Sequence, residues 1–446
     1  MAAHLERARN ELNAPCRLLM DIAGPKLRTG PIEPGPRVVV WHPRRDSLGR
    51  VVDPARIWLA PQEEQHAAPL GADAYLPVSA DWLQNVQPGE RIHFKDARDK
   101  RRILEIMGSS DGGRWAQCVQ TAYVIPGTIL SRVDIGDRPG RDTSVGQVPP
   151  LQQGIVLRVG DQLILAREAI PGRPARVDSA GRVSKPAIIS CTLPEILPQV
   201  RAGERIWFDD GKIGGIVREA GPDALQVEIM HAKVKGDRLG ADKGINLPDT
   251  KIKLPAITPK DLEDLRFIVA HADLVGMSFV RHERDIYDLQ ARMHELHGDN
   301  LGIMLKIETR QAFERLPNLI LAAMRQHIAG VMIARGDLAV ECGYERTAEV
   351  QEEMLWICEA AHMPVIWATQ VLESMAKKGQ PSRAEITDAA MGERAECVML
   401  NKGPHIVAAV TALDDILRRM QDHQSKKSAR LRRLRLGMVR EPEESV

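Results

Sequence analysis

Aromatic residues are scarce, with Phe, Trp and Tyr making up 4% of the 446 residues. The core must therefore be built from Leu, Ile, Val, Met and Ala. Net charge is nearly absent. Lys plus Arg is 61 and Asp plus Glu is 60, a formal +1, so no overall field argues for a nucleic-acid partner or an acidic one. Long apolar runs are missing, and none approaches the ~20 residues that span a bilayer. The N-terminus, MAAHLERARNELNAP, has charges where a signal peptide needs an apolar stretch. Cysteines are few, at positions 16, 118, 191, 342, 358 and 397, with no pair in C-x-x-C spacing. Neither a zinc site nor a disulfide framework is indicated. These absences point to a soluble, cytoplasmic protein with reduced thiols and neither a membrane nor a nucleic-acid partner. A hydrophobic content of 43% excludes a mainly disordered chain.

The second half has a regular beat. Apolar runs at Leu274–Val280, Leu301–Glu308, Gly330–Ala334, Pro364–Thr369 and Cys397–Asn401 start roughly 30 residues apart, the length of one βα unit. Helix starts fall between them. Thr258-Pro259-Lys260-Asp261 offers an N-cap, a proline at the first helical position and an acid at the third. Ser382-Arg383-Ala384-Glu385 has the capping-box pattern. Cys16–Ile22 is a sixth run of this kind, far upstream. Strands alternating with helices predict an α/β fold, a parallel sheet covered by helices.

Between about Gly30 and Lys243 the texture is rich in Pro and Gly with short apolar runs, which predicts an all-β insertion. It contains a repeat. Val86-Gln87-Pro88-Gly89-Glu90-Arg91-Ile92-His93-Phe94-Lys95-Asp96 returns as Val200-Arg201-Ala202-Gly203-Glu204-Arg205-Ile206-Trp207-Phe208-Asp209-Asp210. The matched apolar positions favour two related β units. The expected division is a barrel from 1–30 and 243–425, an inserted β domain at 31–242 split into units 31–190 and 191–242, and a basic tail at 426–446. Between Arg418 and Arg435 stand eight basic residues and one acid, Asp422, the pattern of a solvated end.

In a βα barrel the chemistry gathers at the C-terminal ends of the strands. Those ends carry Asp21, Ser278, Lys306 with Glu308, Arg335 with Asp337, Thr369 and Asn401. Lys306 and Glu308 are two apart and face the same side of the pleat. Glu308 and Asp337 end neighbouring strands, where two carboxylates suit Mg²⁺ or Mn²⁺ with room for water and substrate oxygens. Gly336 lets backbone N–H groups approach an anion, especially if a short helix starts at Asp337.

These residues resemble a known family. Asp21-Ile22-Ala23-Gly24-Pro25-Lys26-Leu27-Arg28-Thr29-Gly30 resembles the D-T-K-G-P-E-I-R-T-G segment of pyruvate kinases, and Lys243-Gly244-Ile245-Asn246-Leu247-Pro248 their K-G-V-N-L-P. Met277-Ser278-Phe279-Val280-Arg281, Lys306-Ile307-Glu308, Met332–Leu338 and Ala368–Met375 follow in family order. The resemblance covers residues 12–30 and about 203–415. It implies a (β/α)₈ TIM-type barrel with an inserted β domain, transfer of phosphate from phosphoenolpyruvate to ADP in glycolysis, Mg²⁺ (or Mn²⁺) and K⁺. By that resemblance Lys306 stabilises the transferring phosphoryl group and Glu308 and Asp337 hold Mg²⁺. The backbone at Gly336 and Asp337, with the Thr369 hydroxyl, binds the substrate carboxylate, with Ser278 beside it. Asp21 and the Ile22 carbonyl are K⁺ ligands. Arg28 and Lys243 face the phosphates of ADP or ATP. A homo-oligomer is compatible with the resemblance.

The chain also departs from the family pattern. About six βα units are present where the family has eight, so the expectation is an incomplete barrel: a start placed too far downstream, a part supplied by a partner, or an impaired enzyme. The family's S-G-E-T-A is here Asn401-Lys402-Gly403-Pro404-His405. The family's regulatory C-terminal domain has no counterpart, and the insertion is about twice the usual length. Two other readings stay open: a Mg²⁺-dependent lyase or aldolase acting on a pyruvate enolate, and a non-catalytic remnant that binds phosphoenolpyruvate.

Overall fold

The computed structural model describes residues 2–62, 69–110, 112–132, 141–421, 423–425 and 428–429. The basic tail at 426–446 lies outside the described residues apart from Ser428 and Ala429. The chain divides into two compact units, one of Met1–Ile32 with Gly154–Val446 and one of Glu33–Gln153.

In the first unit the six runs pair as one parallel sheet in chain order: Leu19–Ile22, Leu274–Met277, Gly302–Ile307, Ala329–Ala334, Val365–Ala368 and Cys397–Val398. We call these the first to sixth barrel strands. The architecture is an incomplete TIM-type barrel carrying a β domain. The first and fourth end where expected, at Ile22 and Ala334, and the other four stop short because the polar rim residues have left the ladder. Alternation explains the two faces. Ile303, Leu305 and Ile307 pack outward with Val331, Ile333 and Trp367 into the main core beneath the helices. Met304, Met332 and Ala368 form a much smaller cluster on the opposite face. Lys306 follows Met304 on that inner face.

The helices start where their caps predict. The Thr258 hydroxyl accepts the Asp261 N–H while the Asp261 carboxylate accepts the Thr258 N–H. Asp261 also accepts the N–H groups of Ala23 and Gly24 at 2.9 and 3.2 Å. One buried carboxylate thus fixes both a helix start and the turn after the first barrel strand. Ser382 and Glu385 form the second capping box. Among the described residues no helix is long and apolar enough to cross a membrane.

The β domain of the first unit is a six-stranded sheet in the order Ala187–Ser190, Gln162–Ala166, Ala224–His231, Ile213–Ala220, Arg205–Phe208, Ile245–Asn246. The second unit is a seven-stranded sheet in the order Ala74–Val78, Ala55–Pro61, Gly113–Cys118, Arg101–Ser110, Arg91–Lys95, Ile129–Arg132, Asp142–Ser144. Six successive strands correspond, parallel for parallel and antiparallel for antiparallel. The main-chain bonds correspond as well. Gly89 donates to the Ile106 carbonyl and Ile106 to Glu90, at 2.7 and 2.9 Å; Gly203 donates to Val217 and Val217 to Glu204, at 2.8 and 2.9 Å. Both glycines sit at positive φ, 87° and 91°. The repeat seen in the sequence is therefore the centre of a duplicated fold.

Three boundaries need correction. The expected break at 190/191 cuts through one sheet, because Gln162–Ala166 is laddered to Ala224–His231; the break falls between 153 and 154. The barrel does not extend to residue 30. Leu27 belongs to the β-domain core, and Thr29 donates to the Lys243 carbonyl at 2.8 Å. Nor does the barrel resume at 243, since Ile245 and Leu247 are in that same core. In the second unit the place taken by Leu27–Thr29 is filled by Asp142–Ser144.

Candidate active site at the strand ends

Lys306 is the hub of the inner face. Its ammonium lies 2.9 Å from Asp21 Oδ2, 2.9 Å from Ser278 Oγ and 3.3 Å from Glu308 Oε1. Residues from three adjacent strands thus meet at one cation. Gly276 makes this closure feasible: a Cβ there would stand 2.0 Å from Asp21 Oδ1. Burial works against the charge on Lys306, but Glu308 and Asp21 outweigh it and hold its pKa above the ordinary lysine value.

Glu308 is 5% exposed. Burial pushes its pKa above the carboxylate range and Asp337 adds to the rise, against Lys306 and the Phe279 N–H, which donates to Glu308 Oε2 at 2.6 Å. Asp337 is likewise raised by burial and by Asp210, with Lys26 and Lys306 opposing. A buried carboxylate and a half-buried one, both held above their usual range, are a donor set that a hard divalent cation fits. Among the described residues no cluster of three or more such side chains forms. An ion held by this pair would complete its shell with water and substrate oxygens, as Mg²⁺ commonly does. Asp21, expected as a K⁺ ligand, is the partner of Lys306 here.

The neighbouring rim is built around Arg335. The helix Arg335–Cys342 starts two residues earlier than the expected Asp337. Arg335 donates to the Ala368 carbonyl at 2.9 Å and to the Thr369 carbonyl, pairs with Asp388, and lies 4.6 Å over the Trp367 ring. It is a strut and not a free anion-binding group. The strut holds Thr369 and Gln370 at φ 68° and 59°, a costly conformation for a β-branched residue. In that conformation the Thr369 Oγ accepts the Gly336 N–H at 2.9 Å. A Cβ on Gly336 would meet only Thr369 atoms, at 3.7 Å or beyond. Space is therefore kept in front of this backbone. Gly336, Asp337, Thr369 and Asn401 line one cavity of about 620 Å³, joined by Asp210 from the β domain.

The expected nucleotide-facing cations are not brought to Lys306 by any direct contact. Arg28 is paired with Asp242 at 2.8 Å, and Lys243 with Asp209 at 3.1 Å. Asp209, Asp210 and Gly211 form a turn with three successive positive φ values, 51°, 56° and 83°, and a Cβ on Gly211 would reach Tyr344 Oη at 2.5 Å. This turn carries the β domain up to the helix Arg335–Cys342. Asn246 does the same, donating to Glu341 Oε1 at 3.2 Å. Burial, with Asp337 and Asp249 nearby, pushes Glu341 up to about 7. Asp210, Asn246, Glu341 and Lys26 were missed as site residues. Their signals were present in the D-D-G and N-L-P turns and in an acid on the face one turn after Asp337.

Comparison with known proteins bears on the barrel. Residues 152–404 match the family model "Pyruvate kinase, barrel domain". The chain is 38% identical over 218 residues to "Pyruvate kinase PKLR" of Rattus norvegicus, covering 47% of this chain and 36% of that protein. It is 30% identical over 295 residues to the pyruvate kinase of Bacillus licheniformis, covering 64% and 47%. The chain thus spans less than half the length of either relative.

Proposed function

The chain belongs to the pyruvate kinase family, and from that premise we propose that it is a phosphotransferase moving a phosphoryl group between phosphoenolpyruvate and ADP. The observation that carries this reading is the meeting of Asp21, Ser278 and Glu308 at the Lys306 ammonium. Phosphoryl transfer needs fixed charge and positioning more than covalent chemistry. Lys306, held protonated by its carboxylates, provides a preorganised charge for the phosphoryl oxygens. The main chain at Gly336 and Asp337, with the Thr369 hydroxyl, orients the substrate carboxylate. Lys243 and Arg28 exchange Asp209 and Asp242 for the nucleotide phosphates. Glu308 and Asp337 would hold Mg²⁺, which supplies charge neutralisation at the phosphates when bound. K⁺ by Asp21 and the Ile22 carbonyl is part of the same proposal. Asn401 stands where the family has a serine, and an amide is a poor proton donor for the enolate.

Mn²⁺ titration by electron paramagnetic resonance tests the site. Glu308→Gln and Asp337→Asn should each weaken binding at least about ten-fold, and unchanged affinity in either removes that residue. Lys306→Met should reduce pyruvate formation by far more than the ten-fold that corresponds to about 1.4 kcal/mol. If Mn²⁺ and phosphoenolpyruvate bind but no pyruvate forms, the phosphotransferase reading fails and the non-catalytic one replaces it. That second reading is favoured by Arg28 and Lys243 already being neutralised by neighbouring acids.

A further inference from the structure

The second unit lies outside the family match, which begins at residue 152, so the catalytic reading gives it no task. We propose that it binds a phosphate-bearing small molecule in the cavity on the outer face of its sheet. That cavity has a volume of about 460 Å³ and is lined by His93, Phe94, Lys95, Arg101, Arg102, Ile129 and Ser131.

The duplication shows what changed. Strand pairing equates Lys95 with Asp209, Arg101 with Lys212 and Thr128 with Lys243. In the first copy the Asp209 carboxylate sits between the two lysines, 2.9 Å from Lys212 and 3.1 Å from Lys243. In the second copy the acid has become a lysine. Lys95 stands directly opposite Arg101 on the antiparallel ladder. Like charges so placed, with Cβ atoms about 5 Å apart, destabilise a sheet. Neither side chain has an ion pair or hydrogen bond among the described residues, and both are exposed. The acid that follows, Asp96, does not neutralise them. It is buried and bound by Arg98 and Arg102 at 2.8 and 3.2 Å. Among the described residues no carboxylate lines the cavity; the nearest in register, Asp142, pairs with Ser131 one strand farther out.

A phosphoryl group between Lys95 and Arg101 removes the repulsion and takes two charge-assisted bonds. His93 and the Ser131 hydroxyl, opposite each other on the adjacent pair of strands, supply further polar contacts, and Ile129 gives the remainder of the ligand an apolar wall. The volume falls in the range of small-ligand sites, about 300–1,000 Å³. An extended polyanion would need a stripe of cations along the sheet. The next two pairs on this face are instead His93 opposite Ile103 and Arg91 opposite the acid Glu105.

Hydrogen exchange on the full 446-residue protein, with sodium pyrophosphate against sodium chloride of matched ionic strength, locates the binding. Pyrophosphate should slow exchange in 91–95, 101–103 and 129–131. Lys95→Met and Arg101→Met keep the stems of exposed side chains, and each should lower pyrophosphate affinity at these strands about ten-fold. Absent protection there, or protection unchanged in both variants, overturns the proposal. So does a single-stranded oligonucleotide that protects the same strands at lower phosphate concentration than pyrophosphate does, since the face is then a polyanion surface. Because the readout is confined to 33–153, its failure leaves the strand-end chemistry untouched.

Discussion

The two β sheets share strand order, ladder direction and turn glycines, yet their equivalent turns carry different side chains. In the copy at 154–247, Asp210 and Asn246 meet Asp337 and Glu341. The copy at 33–153 has its own core around Ile57, Leu76, Ile92 and Leu104, and its equivalent turn presents Lys95 and Arg101. The sheet is specified by alternating apolar residues and two glycines. The role is specified by three or four side chains at one turn, which are free to change sign without disturbing the ladder.

The largest test of this separation is a pair of core truncations. Phe94 and Phe208 occupy equivalent buried positions, and Phe→Ala at each should cost about 3–5 kcal/mol. Phe208→Ala should also weaken Mn²⁺ binding at Glu308 and Asp337, because it loosens the turn that presses on Asp337. Phe94→Ala should leave that affinity alone while accelerating exchange throughout 55–132. Equal losses of Mn²⁺ affinity would mean that the two copies act as one cooperative body.

A smaller effect separates the copies by pH. Glu341, tied to Asn246, keeps its proton to about pH 7 when folded, whereas unfolded it releases it near 4.5. Between those values the unfolded chain binds fewer protons, so stability falls as pH rises. The full loss is about 3 kcal/mol. Glu341→Gln abolishes this loss, so its thermal midpoint relative to wild type should climb from about pH 5 to pH 8. The equivalent of Asn246 in the second copy is Ser131, and the acid opposite it on the ladder, Asp142, is exposed. Exchange rates in 33–153, corrected for intrinsic pH effects, should not follow this profile.

The smallest effect sharpens the likeness. Gly89→Ala and Gly203→Ala each place a Cβ at positive φ with nothing within 4 Å to clash. The cost is backbone strain alone, about 1 kcal/mol in both. Segment exchange should show equal losses. A marked inequality would break the equivalence of the two turns.

The barrel was legible because its four middle strands are mostly buried on both faces and read as continuous apolar runs. Every one of the six appears in the sheet, in order. Lys306, Glu308 and Asp337 were legible because strand ends converge. The β boundaries were not, because Arg28 and Thr29 bond residues 164 and 214 positions away and local texture carries no trace of that choice. The positive φ of Thr369 was also hidden. It is imposed by Arg335 from the neighbouring strand, and no property of a threonine announces it.

The exchange of closing strands has a consequence for synthesis. Every strand of the seven-stranded sheet lies between Ala55 and Ser144, so that sheet can close as soon as it leaves the ribosome. The segment Leu27–Thr29 emerges earlier still but finds its first partner only when Cys191 is made, and its second, Lys243, 214 residues after Thr29. Local partners form quickly and distant ones slowly. During translation the inserted copy is therefore a finished body, while the edge that will join the catalytic half waits unpaired on its N-terminal side.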